Sequence, residues 1–258
     1  MATEYSVPVE MCQPNLAFFM NIWRCFDHLL GPPTCQLCGA RGLGPEICGG
    51  CYRDLPRARL ACPVCAGPVP VAGVCPGCVL RPPAYDRARV PFIYGFPVNR
   101  LIHRLKYGGV RSHARLLGEL VGRAMRRIET LPEAIVPVPL HPRRLRQRGF
   151  DQARDIAAFV AGATGLRLRA GLCVKRRYTP PLWPLTAGER RRLLEGTFEC
   201  RGQPPSRVAV FDDILTTGAT ANALARILRA AGADEVELWA VARSPLISAG
   251  SIQPPANV

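Results

Sequence analysis

The sequence predicts an α/β fold, in which a mostly parallel β-sheet is flanked by helices and a small cysteine-rich module comes first. Three largely apolar runs have the length of strands buried in a sheet: residues 134–139, 208–211 and 236–241, the last of which is interrupted only by Glu237. Segments with helical periodicity alternate with these runs: residues 114–128, 151–163 and 221–231. Strands that alternate with helices favour a parallel sheet. Four Cys-x-x-Cys pairs precede all of these elements.

The four cysteine pairs indicate bound metal: Cys35/Cys38, Cys48/Cys51, Cys62/Cys65 and Cys75/Cys78. Such pairs form knuckles whose two thiolates face one tetrahedral Zn²⁺. Disulfides fit badly, because the first ten residues carry two acids and no basic residue, unlike a secretory signal, and cytosolic thiols stay reduced. We therefore predict structural zinc and a cytoplasmic location. Four thiolates around each ion leave no open position for catalysis.

Two zinc pairings are open. Sequential pairing places the first two Cys-x-x-Cys pairs in one site and the last two in another, whereas interleaved pairing joins first to third and second to fourth. Sequential pairing is favoured, because closing a short loop costs less entropy. The first 80 residues hold five arginines and five acids, and this neutral balance argues against a finger that reads DNA.

The stretch from Arg207 to Thr220 carries the clearest chemical signal. Its apolar run is followed by two acids and then by a short loop of small and hydroxylated residues: Asp212 and Asp213, then Thr216, Thr217, Gly218, Ala219 and Thr220. A helix that starts there offers free N–H groups, hydroxyls and the positive end of its dipole to a phosphate. Two carboxylates beside a phosphate make sense if they hold sugar hydroxyls or Mg²⁺. The sequence therefore predicts a cradle for a phosphorylated sugar.

The net charge of +15 lies entirely after residue 80 and is carried almost wholly by arginine. Four arginines follow the apolar run at residues 134–139 and predict a second anion site at that strand's end. Eight further basic residues lie between residues 100 and 127. A solvated helix face is the favoured interpretation, and a single-stranded nucleic-acid surface with stacking on Tyr94 and Tyr107 is the alternative. No apolar run reaches the roughly 18 residues of a membrane span, so no membrane insertion is expected.

The pattern of residues 208–220 resembles the motif by which type I phosphoribosyltransferases bind 5-phosphoribosyl 1-pyrophosphate (PRPP). Together with the cysteine pairs and three further stretches, it makes the chain similar to the ComF family: residues 101–107, 136–140 and 148–153. These bacterial proteins join a double zinc ribbon to a phosphoribosyltransferase domain, and some act in DNA uptake during natural transformation. The resemblance covers residues 30–245.

The resemblance implies a type I phosphoribosyltransferase fold at residues 81–245. It implies a helical extension at residues 1–34, a double zinc ribbon at 35–80 and a disordered tail at 246–258. By position, Asp212 and Asp213 would hold the ribose hydroxyls with Mg²⁺, and residues 216–220 the 5′-phosphate. The segment that would face the pyrophosphate comprises Pro137, Val138, Pro139 and Leu140. Candidate phosphate contacts are Lys106, Lys175 and Arg176.

The chain departs from the family's pattern at three positions: Leu182 and Leu193 stand where Gln and Asn are usual, and Asp151 where Asn is usual. Because leucine cannot hydrogen-bond, the departures bear on base transfer more than on PRPP binding. The resemblance implies a Mg²⁺-dependent, PRPP-binding phosphoribosyltransferase that serves DNA uptake with partners including a helicase. The alternative is a non-catalytic competence factor that senses PRPP or binds single-stranded DNA.

Overall fold

The structure is a computed structural model that describes residues 34–40, 46–179 and 187–245. The chain divides into two compact units, Met1–Cys51 and Tyr52–Val258. The predicted helical extension, apart from Thr34, and the predicted disordered tail lie outside the described residues, as does Leu182.

Eight strands and eight helices occur in the described ranges. The strands are β1 (Arg87–Arg89), β2 (Phe92–Ile93), β3 (Ala134–Pro137), β4 (Arg167–Leu168), β5 (Cys173–Lys175), β6 (Phe198–Cys200), β7 (Arg207–Leu215) and β8 (Glu235–Arg243). The helices are α1 (Gly49–Arg53), α2 (Pro76–Leu80), α3 (Val98–Tyr107), α4 (Ser112–Met125), α5 (Pro142–Arg148), α6 (Gln152–Thr164), α7 (Ala187–Leu194) and α8 (Ala219–Ala230).

The main sheet has the strand order β1-β8-β7-β3-β4, and β2 also pairs with β8. Every pairing in this sheet is parallel, while β5 and β6 form a separate antiparallel ribbon. Helices α4, α6 and α8 contact the sheet strands. The predicted α/β class, a parallel sheet flanked by helices after a cysteine-rich module, is confirmed.

The centre of the core is the pair β7 and β8. The apolar run of β7 is buried throughout, and every residue of β8 after Glu235 is buried. Phe211 and Trp239, which face each other in register, are among the largest fully buried side chains. Because β3, β7 and β8 are parallel neighbours, their carboxyl ends meet at one edge of the sheet, where α/β proteins bind ligands.

Two predicted elements differ from the observed ones near this edge. β7 continues past Phe211 to Leu215, so the acidic pair lies inside the strand. Asp212 and Leu215 pair with residues of β8, and this pairing outweighs the low strand propensity of aspartate. The arginine-rich stretch after Pro139 forms helix α5. His141 Nδ1 caps it by accepting from Arg143 N at 3.1 Å.

None of the helices in the described part of the chain has both the length and the apolar character of a membrane span.

Candidate functional site

Two groups of four cysteines have their Sγ atoms within 4.8 Å of one another: Cys35, Cys38, Cys48 and Cys51 (the first cysteine cluster), and Cys62, Cys65, Cys75 and Cys78 (the second cysteine cluster). The predicted sequential pairing is therefore confirmed. The Sγ atoms of Cys65 and Cys75 lie 3.7 Å apart, close to the roughly 3.8 Å between sulfurs on one tetrahedral Zn²⁺. The clusters lie in different compact units.

Backbone amides prepare one cysteine of each cluster as a thiolate. Burial would raise the pKa of Cys62, but hydrogen bonds from backbone N–H groups, Cys75 first, outweigh it and lower that pKa to about 6. Cys35 has its pKa lowered to about 6 in the same way, with Cys48 N–H as the largest favourable contribution against burial. Because the thiolate is the form that binds metal, both clusters fit structural zinc.

The carboxyl edge of the sheet brings together three of the predicted site segments. Val138 N donates to Phe211 O at 2.8 Å, so residues 137–140 leave β3 alongside the acidic pair of β7. Residues 216–220, which we call the phosphate loop, follow β7 and include the first two residues of helix α8. Leu140 N also donates to Asp151 Oδ2 at 3.4 Å, which fixes the 137–140 segment to the start of α6.

Lys106, in the last turn of α3, pairs with the acidic pair: its Nζ lies 2.5 Å from Asp213 Oδ2. Both side chains are largely buried, at 17% and 6% exposure. Burial opposes the charge on Lys106, but the carboxylate of Asp213 outweighs burial and raises the pKa of Lys106. Within the described residues no hydrogen bond of ordinary geometry reaches Asp213 Oδ2, so this buried oxygen is held by the ion pair and still has capacity to accept.

Asp212 differs from its neighbour in electrostatics. Burial, and then the negative charge of Asp213, raise the pKa of Asp212 well above its ordinary value. Asp212 Oδ1 accepts a hydrogen bond from Asp213 N at 2.8 Å. Two carboxylates this close favour a shared cation or proton donors, such as a divalent metal ion or the hydroxyls of a sugar.

The phosphate loop turns at Gly218, whose backbone is left-handed at φ 75° and ψ 5°. A Cβ at this position would lie 3.1 Å from the hydroxyl of the buried Tyr85, so a side chain is disfavoured both by conformation and by space. Thr216 and Thr217 are exposed. Helix α8 begins immediately afterwards, at Ala219, and directs its first N–H groups at the loop.

The remaining predicted phosphate contacts lie on the β5–β6 ribbon, around a cavity of about 570 Å³ that residues 137, 139 and 140 also line. Burial, and then the charge of Arg144, lower the pKa of Lys175 to about 8. Lys175 Nζ donates to Thr179 Oγ1 at 2.6 Å. Arg176 is on the exposed side, where its Nη2 lies 3.0 Å from Glu199 Oε1. Its guanidinium is thus engaged by a carboxylate.

Exposed aromatic side chains lie beside arginines near the same cavity. Tyr107 is 70% exposed, and the guanidinium of Arg148 lies 5.6 Å from its ring centroid. Tyr178 is 39% exposed, and Arg143 lies 5.9 Å from its ring centroid. Tyr94, the other predicted stacking residue, is half-buried and so offers less surface than Tyr107.

Sequence analysis did not identify Tyr85 and Arg243, both of which contact the start of the phosphate loop. Arg243 Nη1 donates to Leu215 O at 2.9 Å and also to Thr216 O. One signal is present in the sequence: Arg243 is the first charged residue after the run at residues 236–241. A charge at the carboxyl end of a buried strand lies at the edge where ligands bind.

Comparison with known proteins shows which family the chain belongs to. The family model described as a double zinc ribbon domain matches residues 26–79. "Competence protein F" of Haemophilus influenzae is 30% identical over 208 residues, which cover 77% of this chain and 90% of that protein. "DNA utilization protein YhgH" of Escherichia coli is 30% identical over 223 residues, or 83% of this chain and 98% of that protein.

Solved structures with a similar chain path are phosphoribosyltransferases. The purine phosphoribosyltransferase of Pyrococcus horikoshii has a TM-score of 0.32 and 13% identity, covering 57% of this chain and 93% of its own. A hypoxanthine phosphoribosyltransferase of Staphylococcus aureus has a TM-score of 0.35 and 12% identity, covering 56% and 71%. At these TM-scores the likeness supports no inference about activity, and family membership rests on the curated relatives. The chain belongs to the ComF family.

Proposed function

We propose that this protein binds PRPP with Mg²⁺ at the carboxyl edge of its parallel sheet and acts as a phosphoribosyltransferase-like protein of DNA uptake. The observation that carries the proposal is the position of the half-buried Asp212 and the buried Asp213 near the end of β7, just before the loop that leads into the start of helix α8. In PRPP the 5′-phosphate is attached to a ribose that carries two neighbouring hydroxyls, so one molecule can reach both the loop and the acidic pair.

The acidic pair fits a divalent cation. Asp213 Oδ2 is buried and has spare acceptor capacity, and the raised pKa of Asp212 shows that this pair gains from an added positive charge. Asp212 and Asp213 would hold Mg²⁺ through the ribose hydroxyls of PRPP. When bound, Mg²⁺ would neutralise charge on the pyrophosphate group and make it a better leaving group.

The chain's own residues divide the rest of the work. The N–H groups and hydroxyls of the phosphate loop bind the 5′-phosphate. Lys106 fixes the orientation of the Asp213 side chain through the 2.5 Å ion pair. The 137–140 segment, fixed by Asp151, and the ammonium of Lys175 bound the cavity that would receive the pyrophosphate.

Transfer, in this proposal, is a substitution at C1 of the ribose. A ring nitrogen of the acceptor forms a bond to C1 with its lone pair, and the bond from C1 to the pyrophosphate oxygen breaks. The electron pair leaves with pyrophosphate. Positive charge develops on the ribose, so carboxylates near the sugar stabilise the transition state.

The test is calorimetric titration of the zinc-replete protein with PRPP, with and without Mg²⁺. The double variant Asp212→Asn/Asp213→Asn removes the two charges and keeps the side-chain shape. Loss of two charge-assisted interactions should weaken Mg²⁺-PRPP binding about 100-fold. Asp234→Asn is the matched control, because Asp234 precedes β8 at the opposite edge of the sheet and should leave affinity unchanged.

Thermal unfolding of each variant checks that the fold is retained. A double variant that folds and binds PRPP as tightly as the wild type would remove the site assignment. Binding that needs no Mg²⁺ would instead remove the metal from the proposal and leave the phosphate loop as the binding element.

A second function, binding of single-stranded DNA, is favoured by the exposed Tyr107 and Tyr178 beside Arg148 and Arg143. Base stacking on an aromatic ring contributes roughly 1 to 3 kcal/mol, so Tyr107→Ala should weaken DNA binding about tenfold. Phe96→Ala is the control, because Phe96 is equally exposed but has no arginine against its ring among the described residues. Affinity should also fall steeply with added salt; a flat salt response would contradict this function.

The role in DNA uptake comes from the relatives, which are named competence protein F and DNA utilization protein. In that setting the partners would be single-stranded DNA and the uptake machinery, including a helicase. Two thiolate clusters suited to zinc fit the reducing cytoplasm as the compartment. Deletion of the gene in a transformable host should lower the frequency of transformation, and a normal frequency would contradict the role.

A further inference from the structure

Arg243, the last residue of β8, is a buried arginine whose hydrogen bonds with described residues all go to backbone carbonyl oxygens. Its Nη1 donates to Leu215 O at 2.9 Å, to Ser244 O at 3.1 Å and also to Thr216 O. Its Nε donates to Cys65 O at 3.0 Å. One guanidinium therefore joins the second cysteine cluster to the start of the phosphate loop.

A second link runs through the apolar core. Ala66 follows Cys65 in the knuckle and lies in one buried cluster with Tyr85 and Leu215. The Tyr85 hydroxyl lies 3.1 Å from the position of a Cβ on Gly218, so the ring packs directly against the turn of the phosphate loop. The second cysteine cluster thus meets the loop by hydrogen bonds on one side and by packing on the other.

The position of Cys65 O depends on the metal. The knuckle is a short turn in which Ala66 N donates to Cys62 O at 2.8 Å and Ala66 has a left-handed backbone at φ 54°. Modules of this size need their metal to fold, because their apolar core is too small. Without zinc, Cys65 O would no longer be held where Arg243 needs it.

Arg243 passes that dependence on to the loop. A guanidinium that is removed from water is stable only while its donors keep their acceptors. If Cys65 O moves, Arg243 must turn toward another acceptor or toward water, and Leu215 O and Thr216 O lose their donor. Those carbonyls open the phosphate loop, so the direction of the following N–H groups changes with them.

We propose that zinc in the second cysteine cluster sets the position of the phosphate loop through Arg243, which is a positioning residue for the bound phosphate. The ligand in this inference rests on the proposed function, whereas the coupling of zinc to the loop is a property of the free protein. Occupancy of the second cluster, and not of the first, therefore controls PRPP affinity.

Hydrogen exchange on the full chain tests the coupling without any ligand. Arg243→Lys keeps a positive charge, but a lysine ammonium cannot donate to Cys65 O and to Leu215 O at the same time, as the planar guanidinium does. Amides of residues 215–220 should exchange about tenfold faster, while zinc content and the protection of β3 stay unchanged. Arg207→Lys is the matched control, since Arg207 pairs with Glu133 at the opposite edge of the sheet, and should leave the loop unchanged.

The second experiment removes zinc from one cysteine cluster at a time. Cys75→Ser/Cys78→Ser should lose the zinc of the second cluster, speed exchange in the loop and weaken PRPP binding about tenfold. Cys48→Ser/Cys51→Ser should lose the zinc of the first cluster and change neither measurement, because that cluster belongs to the other compact unit.

The outcomes separate the coupling from the proposed function. Unchanged loop exchange in both Arg243→Lys and a zinc-depleted second cluster would overturn the coupling. If Cys75→Ser/Cys78→Ser also loses protection in β3, that variant has unfolded globally. The exchange rates of Arg243→Lys alone then test the coupling. If the wild type binds no PRPP, the proposed function fails, while the exchange measurements still decide whether zinc positions the loop.

Discussion

Gly218→Ala is the change that probes the phosphate loop most locally. Gly218 has a left-handed backbone at φ 75°, which costs a residue with a Cβ about 1 to 2 kcal/mol. The new Cβ would also lie 3.1 Å from the Tyr85 hydroxyl and 3.6 Å from its Cε1, and crowding a packed site costs about 1 to 3 kcal/mol. The expected total loss in unfolding free energy is about 2 to 5 kcal/mol.

Gly165→Ala separates the two contributions. Gly165 ends α6 with nearly the same backbone, φ 76° and ψ 9°, but no atom lies within 4 Å of its added Cβ. Its substitution should therefore cost only the conformational part, about 1 to 2 kcal/mol. Urea unfolding of both variants gives the difference, which reports the contact with Tyr85.

Tyr85→Phe completes the cycle. Removing the hydroxyl takes away the atom nearest to the new Cβ, so Gly218→Ala should be less destabilising in the Tyr85→Phe background than in the wild type. PRPP affinity should fall in Gly218→Ala and stay unchanged in Gly165→Ala. Equal destabilisation by the two glycine variants, with no coupling to Tyr85, would refute the packing that we describe for the loop.

Three further predictions concern the charged groups of the site. Lys106→Met leaves the buried carboxylate of Asp213 without its partner and should cost about 3 kcal/mol of unfolding free energy in urea at about pH 7. Burial and Arg144 lower the pKa of Lys175 to about 8, and only its protonated form attracts phosphate, so PRPP affinity should fall as pH rises through about 8; Lys175→Met should remove this dependence in calorimetry. Asp151→Ala removes the acceptor for Arg154 N, at 3.1 Å in the N-terminal cap of α6, and the acceptor for Leu140 N, and should cost about 1 to 2 kcal/mol in thermal unfolding; Asp151→Asn keeps one acceptor oxygen and should cost less.

The parts of the site that could be predicted from the sequence are local in the chain. Each cysteine cluster is built from two neighbouring pairs, so spacing alone indicates a tetrahedral site. The acids and the phosphate loop follow one another without a gap, so strand, acids, loop and helix form one pattern. In both cases the residues that form the site lie close together in the sequence.

The parts that could not be predicted depend on packing between distant segments. The sequence predicts Lys106 as a candidate phosphate contact, but its ion pair with Asp213 exists only because the end of α3 meets the carboxyl edge of the sheet. Arg243 has no sequence signal that points to Cys65, since the contact joins the cysteine-rich module to the last strand. Such contacts follow from the fold as a whole and not from any local pattern.

Element boundaries show the same division. The apolar run of β7 is predicted from the sequence, but its extension through Leu215 depends on pairing with the neighbouring strand, because aspartate has a low strand propensity. The helix after Pro139 was missed, although arginine is a good helix former and His141 with Pro142 provides an N-terminal cap.

The central claim is that the carboxyl edge of the parallel sheet is a PRPP site. The most direct measurement is a crystal structure of the zinc-replete protein grown with Mg²⁺ and PRPP. We expect the 5′-phosphate against the N–H groups of residues 216–220, with the ribose hydroxyls on Asp212 and Asp213. PRPP bound elsewhere on the chain, or a loop and acidic pair without ligand in a crystal saturated with Mg²⁺ and PRPP, would contradict it.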